Sequence, residues 1–411
     1  MPVFPRHLSA SLHTALQDTP VVCLLGPRQC GKTTLARTLE PRYAYLSFDD
    51  VATLAFAQND PSGFVAALPP CAILDEIQRV PQLLRSLKLA VDRHRQPGRF
   101  VLTGSANLLL LPTLGDSLAG RMEVLQLQPL SVAEQTFASG RFLAELLAGQ
   151  LQPALTSSAA GDGGAQLARH VVTGGFPEAV ARSETRARSW RRAYVRMLLE
   201  RDIHDVARVR DTDAVSRLLE LLALRTAELL NISNLANEVD VRRDTVEHFL
   251  AVCERLFLIR RLPAWHRNEA KRLVKTPKVH LLDSGLAATL AGLTTSDWTA
   301  RRERFGHLLE SFVVQQLTAQ AGWTDPDLRF WHYRDKDQLE VDLVITRGRQ
   351  TWGVEVKSSA TVTPADGRGL LRLAEQCGKD WQGGVLLHAG SSAIALKNKC
   401  LAAPLAWLWE K

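Results

Sequence analysis

Two stretches of the chain gather side chains able to handle phosphate. Residues 26–34 read GPRQCGKTT, a GxxxxGK[ST] loop set between the strand-like VVCLL and the helix-like LARTL. Gly26 and Gly31 let the backbone curl so that successive N–H groups face a β-phosphate, and the helix that follows adds partial positive charge. The loop as a whole, Gly26, Pro27, Arg28, Gln29, Cys30, Gly31, Lys32, Thr33 and Thr34, is a nucleotide cradle. Within it Lys32 is placed to reach the β- and γ-phosphates, and Thr33 to coordinate Mg²⁺. Such a loop needs an acid on a neighbouring strand, and CAILDEIQRVP supplies one. Asp75 follows four apolar residues as a metal partner, and Glu76 is the group to polarise an attacking water. The expected chemistry is hydrolysis, ATP and water to ADP and phosphate, with ATP and Mg²⁺ as cofactors. The plain alternative for the DE pair is a solvated strand end.

The second stretch is VDLVITRGRQTWGVEVK, residues 341–357. Asp342 closes one strand pattern, and Glu355 and Lys357 share a face of the next, because strand side chains alternate. Upstream, Glu310 sits among apolar neighbours in the helical GHLLESFVVQQL, and Glu340 is a spare carboxylate one strand-step from Asp342. A helical Glu, an Asp and an ExK on adjacent strands is the order seen in nucleases of the PD-(D/E)XK type. There the carboxylates gather Mg²⁺, which acidifies bound water and stabilises the scissile phosphate. An ExK also arises by chance on exposed strands, so a metal site and a mere nuclease-like scaffold both stay open.

Other residues fall into place around the first site. The strand FVLTGSAN ends in Ser105 and Asn107, either of which is positioned to sense a γ-phosphate. Arg121 precedes the strand MEVLQL and could project across a subunit boundary to stabilise charge on a neighbour's nucleotide. A surface salt bridge is its bland alternative.

These residues need a frame. From Pro20 to about Ser131, VVCLLG, AYLSFD, CAILDE, RFVLTGS and MEVLQL alternate with helical stretches, which predicts a parallel sheet covered by helices. Residues 149–165, small, polar and Gly-rich, are expected to form a flexible loop. Within the largely helical 166–300, the segment 232–265 has the rhythm of a helix-turn-helix followed by a strand-like wing. From Phe305 the order is helix, three strands, helix, strand. The expected boundaries are 1–135 for an ATPase core, 136–210 for a helical lid and connector, 211–300 for a winged-helix-like segment and 301–411 for a nuclease-like domain.

GPRQCGKTT, YLSFDD, ILDEIQRVP, LTGSAN, SLAGR, LQPLSVAE and GGFPEAV, in this order, resemble the AAA-type ATPases of the DUF4143 family. The resemblance covers about residues 8 to 390. It implies an α/β fold: a P-loop AAA+ core with helical lid, a winged-helix segment and a restriction-endonuclease-like α/β C-terminal domain. It also implies that Gly175 and Pro177, in GGFPEAV, lie near the base of the nucleotide; a helix-breaking role is the simpler reading of the proline.

Composition narrows the partners. Lys and Arg exceed Asp and Glu by 50 to 43, a net charge of +7 that permits a polyanion. The excess concentrates in segments 186–210 and 260–278, the second with Trp265 and His266 interleaved. Arg242 and Arg243 open the second helix of the helix-turn-helix, where recognition residues enter a major groove. With Arg260, Arg261, Arg267, Lys271 and Arg272 they outline a DNA footprint, though winged helices also serve as packing modules. The six cysteines show no CxxC pair, which fits reduced thiols and neither zinc nor disulfides. With no long apolar run and no signal-peptide core, a cytoplasmic protein without membrane partners is expected.

The leading expectation is an oligomeric AAA+ ATPase, a ring such as a hexamer, that remodels or translocates DNA. Branched DNA such as a Holliday junction enters by analogy with junction-resolving nuclease folds. An ATP-gated nuclease and a regulatory ATPase switch that ignores DNA are the alternatives.

Overall fold

The computed structural model describes residues 3–105, 118–154, 163–203, 211–268 and 275–411. Five short apolar segments form the first sheet: β1 (Val21–Leu25), β2 (Ala44–Ser47), β3 (Ala72–Asp75), β4 (Phe100–Gly104) and β5 (Met122–Gln126). All pairings are parallel, in the order β2-β3-β4-β1-β5. β1 and β4 are buried along their whole length, as strands covered on both faces must be. Separate apolar clusters fill the two faces: Phe64, Leu84, Leu87 and Phe100 on one, Leu12, Leu24, Leu35 and Ile73 on the other. The register pairs Leu25 with Gly104 and Ser47 with Asp75, so the phosphate loop, the Asp75 turn and the end of β4 emerge at one edge. Ligands of open α/β sheets bind at that carboxyl edge.

A helical region follows. Helices Ile232–Val239 and Arg243–Arg255 form the expected pair, the first capped by the Asn231 side chain and ended by Asp240 in the left-handed conformation. Behind them β6 (Ile259–Leu262) and β7 (Lys278–Leu281) make a two-stranded antiparallel sheet.

The last region is a mixed sheet of β8 (Arg329–Arg334), β9 (Glu340–Arg347), β10 (Gln350–Lys357), β11 (Trp381–His388), β12 (Ile394–Ala395) and β13 (Cys400–Pro404). Its order is β12-β13-β11-β10-β9-β8, with β10, β11 and β13 parallel. The helix Arg302–Thr324 lies on one face and Arg368–Cys377 on the other. One apolar cluster runs from Val132 through the helical region to Trp409. The residues on either side of the boundaries expected at 210/211 and 300/301 therefore share one core. Among the described residues no helix is long and apolar enough to cross a membrane.

The packing of Arg368–Cys377 on β9 has no slack at Gly369, where a Cβ would overlap the Glu340 carbonyl oxygen. Gly306, inside the long helix, faces open space. Gly369→Ala should therefore lower the unfolding free energy by about 1–3 kcal/mol, whereas Gly306→Ala should raise it by about 0.5–1 kcal/mol. Chemical denaturation distinguishes the two, and effects of the same sign would contradict this packing.

Candidate functional site

The phosphate loop opens into a cleft of about 610 Å³ lined by Arg28 to Thr34, Tyr45, Asp75, Glu76 and Pro177. Gly26 is required by proximity, since a Cβ there would sit on the Leu127 carbonyl oxygen. Gly31 adopts φ +101°, which only glycine tolerates without strain. Lys32, almost wholly buried, donates to the carbonyls of Gly26 at 3.0 Å and Pro27 at 2.8 Å. Its ammonium is thereby fixed at the mouth of the loop.

Thr33 Oγ1 donates to Asp75 at 3.1–3.2 Å, and the same carboxylate accepts from Tyr45 Oη at 2.6 Å and from Thr103. Burial and the bond to Asp75 push the Tyr45 hydroxyl up to about 12. A hydroxyl beside a carboxylate is the oxygen pair that Mg²⁺ accepts at a phosphate loop, so the residues fit that ion. Glu76 sits in the left-handed region at φ 61°, a strained conformation for a non-glycine residue. Its Oε2 accepts from Ser105 Oγ at 2.9 Å and from Gln78 Nε2, and Gln78 also donates to Ser105 at 2.9 Å. Ser105 thus meets Glu76 directly. Asn107 lies outside the described residues.

Pro177 lines the cleft. Gly175 does not line it, and instead packs behind, with its N–H on Asp283 Oδ2 at 2.6 Å and its carbonyl accepting from Leu130 N at 2.7 Å. Arg121 is ion-paired with Asp92, and this holds the Asp92 carboxyl below its usual range. Its backbone carbonyl accepts from Val21 N at the start of β1. Arg121 therefore occupies the sheet edge opposite its own phosphate loop.

Arg6 is a cleft residue that the sequence does not advertise. It donates to the Cys30 carbonyl at 2.6 Å, the Gln128 carbonyl at 2.7 Å and Glu134 Oε1 at 3.0 Å. Glu134, fully buried, also accepts from His7 N and Ser131 N. No local pattern around MPVFPRH marks that role, because every partner is distant in sequence. Two further contacts reach the loop from the helical region: Tyr194 Oη donates to the Arg28 carbonyl at 3.2 Å, and Arg28 pairs with Asp202.

The C-terminal carboxylates Glu310, Glu340, Asp342 and Glu355 do line one cleft, of about 590 Å³, together with Lys357. The residue in their midst is a lysine. Lys278 Nζ stands 2.8 Å from Glu310 Oε1, 3.7 Å from Glu340 Oε2 and 3.8 Å from Asp342 Oδ1. Burial disfavours that ammonium, but Glu310, Asp342 and Glu340 more than offset it, and its pKa is raised. Burial first, then the Asp342 charge, push the Glu310 carboxyl up, against the pull of Lys278. Glu355 Oε1 accepts from Lys357 at 2.9 Å, and burial followed by the Asp342 charge pushes its carboxyl up to about 8. Asp342 Oδ2 accepts from Val356 N at 2.8 Å. Among the described residues no group of three or more metal-binding side chains is arranged to hold an ion. The residues do not fit the metal that a nuclease-like site implies.

The basic footprint separates into parts. Arg242 and Arg243 are exposed at the start of their helix, and Arg267 is exposed. Arg260 is a correction: it points inward, donating to Thr318 Oγ1 at 2.7 Å and Gln128 Oε1 at 3.1 Å, and burial pulls its guanidinium down to about 10. Arg261 is held by Glu254 and Glu247. Arg260 is thus taken up inside the fold, while Arg261 keeps 32% of its side chain exposed beside its two glutamates. Lys271 and Arg272 lie outside the described residues.

Residues 18–136 match the family described as AAA domain, 305–408 match the domain of unknown function DUF4143, and 164–297 match the domain of unknown function DUF8612. An uncharacterized protein of Mycobacterium tuberculosis and one of Mycobacterium bovis are each 30% identical over 362 residues, covering 87% of this chain and 74% of theirs. Among solved structures, a Walker-type ATPase of Pyrococcus abyssi aligns over 70% of this chain and 96% of its own, at 16% identity and TM-score 0.42. The Holliday junction branch migration motor RuvB of Thermotoga maritima aligns over 65% and 92%, at 19% identity and TM-score 0.30.

Removing Arg6 leaves a buried carboxylate without its guanidinium, a change that costs about 3–5 kcal/mol where the partner stays charged. Arg6→Ala should lower the melting temperature and weaken binding of a fluorescent ADP analogue about tenfold through loss of the Cys30 staple. Unchanged nucleotide affinity in a folded variant would remove Arg6 from the site.

Proposed function

The chain belongs to the AAA-type ATPases that carry a C-terminal DUF4143 domain, and from that footing we propose an Mg²⁺-dependent ATP hydrolase that works as an oligomer on DNA. The observation that carries the hydrolase reading is the convergence of Lys32, the Thr33–Asp75 pair and Glu76 on one cleft, with Ser105 hydrogen-bonded to Glu76 from beside it. Bound Mg²⁺ would draw charge from the phosphates, held by Thr33 and Asp75. Lys32 neutralises phosphate charge from a position fixed by two carbonyls. Glu76, held by Ser105 and Gln78, orients a water and accepts its proton. Ser105 shares that carboxylate, so a change at the γ-phosphate position would be felt by the base itself. Pro177 provides the apolar wall of the cleft nearest the helical region.

The oligomer is proposed with Arg121 in mind, although its pairing with Asp92 also matches a plain surface salt bridge. At the far edge of the sheet it has no route to its own nucleotide, so a catalytic role for it requires a neighbouring subunit. In such a ring Arg121 would exchange Asp92 for the neighbour's phosphate. DNA binding rests on Arg242 and Arg243, exposed at the N-terminus of the second helix of the pair. Branched DNA is the specific form proposed. A second reading, an ATPase switch indifferent to DNA, is favoured by the two contacts that tie Arg28 of the phosphate loop to the helical region through Tyr194 and Asp202. They offer nucleotide occupancy a path to assembly state without any nucleic acid.

Glu76→Gln should keep nucleotide binding and lower turnover by about 10²-fold or more, while Lys32→Ala should lose turnover altogether. Arg121→Ala should reduce turnover only under conditions where the wild type self-associates, as read by light scattering alongside phosphate release. ATPase rates with single-stranded, duplex and four-way-junction DNA decide the partner. Stimulation that falls in Arg242→Ala/Arg243→Ala supports DNA; a flat response to all three, with Lys32-dependent turnover intact, selects the switch.

A further inference from the structure

The C-terminal cleft has the carboxylates of a metal site and a cation already among them. We propose that this cluster is an intramolecular ammonium site: Lys278 occupies the place of a divalent cation, so the cleft does not take Mg²⁺ and instead clamps the winged segment to the C-terminal sheet.

Geometry carries the proposal. A hard divalent cation sits at about 2.0–2.6 Å from its oxygens and draws several carboxylates inward. Here one ammonium stands within 4 Å of Glu310, Glu340 and Asp342, while the fourth carboxylate, Glu355, is taken by Lys357 and Glu340 also pairs with Arg334 at 3.0 Å. Each carboxylate therefore has a cation close by. A metal entering the same space would meet a positive charge a few ångströms away, in buried surroundings that screen such repulsion poorly.

Lys278 is also not a surface lysine that has folded in. Its Cα is paired with Leu262 in the two-stranded sheet, and a bridge joins it to Leu229 on the other side. Flanking backbone bonds, Leu230 N to the Pro277 carbonyl at 2.9 Å and Val279 N to the Glu228 carbonyl at 3.0 Å, fix the strand on which it stands. The side chain is almost completely buried. A backbone held on both sides cannot carry the ammonium out of the cluster without opening β7.

The same ion group spans two parts of the fold. Lys278 belongs to β7, Glu310 to the long helix, and Glu340 and Asp342 to β9. Beside it, Trp265 N donates to the His332 carbonyl at 2.6 Å and His332 N donates to the Pro263 carbonyl at 2.9 Å, joining the end of β6 to β8. The clamp thus closes a seam that is already hydrogen-bonded at one end. The nuclease-like order of residues has been put to use as a docking face, and phosphodiester cleavage is not expected of it.

The test uses the full-length, nucleotide-free protein and Mn²⁺ as the probe, read by the electron paramagnetic resonance signal of free Mn²⁺. Wild type and Asp342→Asn should bind Mn²⁺ equally weakly. Lys278→Met should gain a site at least about tenfold tighter, and Asp342→Asn in that background should abolish it. Lys278→Met should also melt at lower temperature and recover part of the loss with Mn²⁺, whereas Lys278→Arg should gain no site. Asp342-dependent Mn²⁺ binding by the wild type would overturn the proposal, and this arm needs no variant that removes Lys278. A folded Lys278→Met that gains no Mn²⁺ site would overturn it equally.

Discussion

The structure turns on the buried polar face of the helix Arg302–Thr324. A glutamine inside a protein core costs stability unless both ends of its amide are hydrogen-bonded, and a helix N-terminus buried without acceptors carries the same kind of penalty. Each deficit here corrects another. Gln316 Oε1 accepts from Val132 N, Gln320 Oε1 from Leu143 N and Gln315 Oε1 from Ser284 N, all at 2.8 Å and all in the first turn of another helix. Gln315 and Gln320 complete their amides on Asp283 and the Leu408 carbonyl. Ser311 meets Thr226 and His280, and Glu310 meets Lys278. A shift of this helix by one residue would rotate every one of these groups away from its partner. The register of a single element thus fixes the helical region and the two-stranded sheet of β6 and β7 together.

The nucleotide cleft inherits that rigidity. Asp283, wholly buried, accepts from Gly175 N, Leu286 N and Gln315 Nε2, and two residues beyond Gly175 the chain reaches Pro177 in the cleft wall. On the opposite side Arg6 joins Cys30 of the loop to the carboxylate of Glu134, itself locked in a capping box with Ser131. Arg28 is held at its carbonyl by Tyr194 and at its guanidinium by Asp202. The loop is therefore suspended between the N-terminal segment and the helical region. The geometry of the cleft and the packing of the rest of the chain are set by one connected group of contacts.

Charge tells a related story. The excess of basic residues reads in sequence as a broad polyanion-binding strip, yet burial and pairing absorb part of it. Arg191 is almost wholly buried, donating to Thr289 Oγ1 at 3.2 Å and to the Thr173 carbonyl. Arg260 faces the long helix, Arg261 faces Glu254, and Lys278 faces three carboxylates. Arg242, Arg243 and Arg267 remain exposed, as do Lys275 and, in the first basic segment, Arg186, Arg192, Arg196 and Arg201. Sequence counts charge without knowing which way a strand side chain points, and on β6 and β7 that direction reverses at every residue.

Local chemistry is what the sequence alone determined. The run GPRQCGKTT between a strand and a helix, the DE pair closing β3 and the alternation of apolar strands with helices specify a parallel-sheet phosphate site, because each signal depends only on neighbours in the chain. The helix pair at 232–255 and the order helix, strand, strand around Glu310, Asp342 and Glu355 were legible for the same reason. Tertiary structure decided everything that joins distant segments: Arg6 in the cleft, the shared core across expected boundaries, and the glutamine contacts of the long helix. It also decided that Lys278, which the sequence presents as the last member of a basic strip, stands where the carboxylate pattern would put a metal. Lys278 lies 32 and 64 positions from Glu310 and Asp342, and no spacing rule spans such gaps; only the packing of β7 against the long helix and β9 brings the charges together.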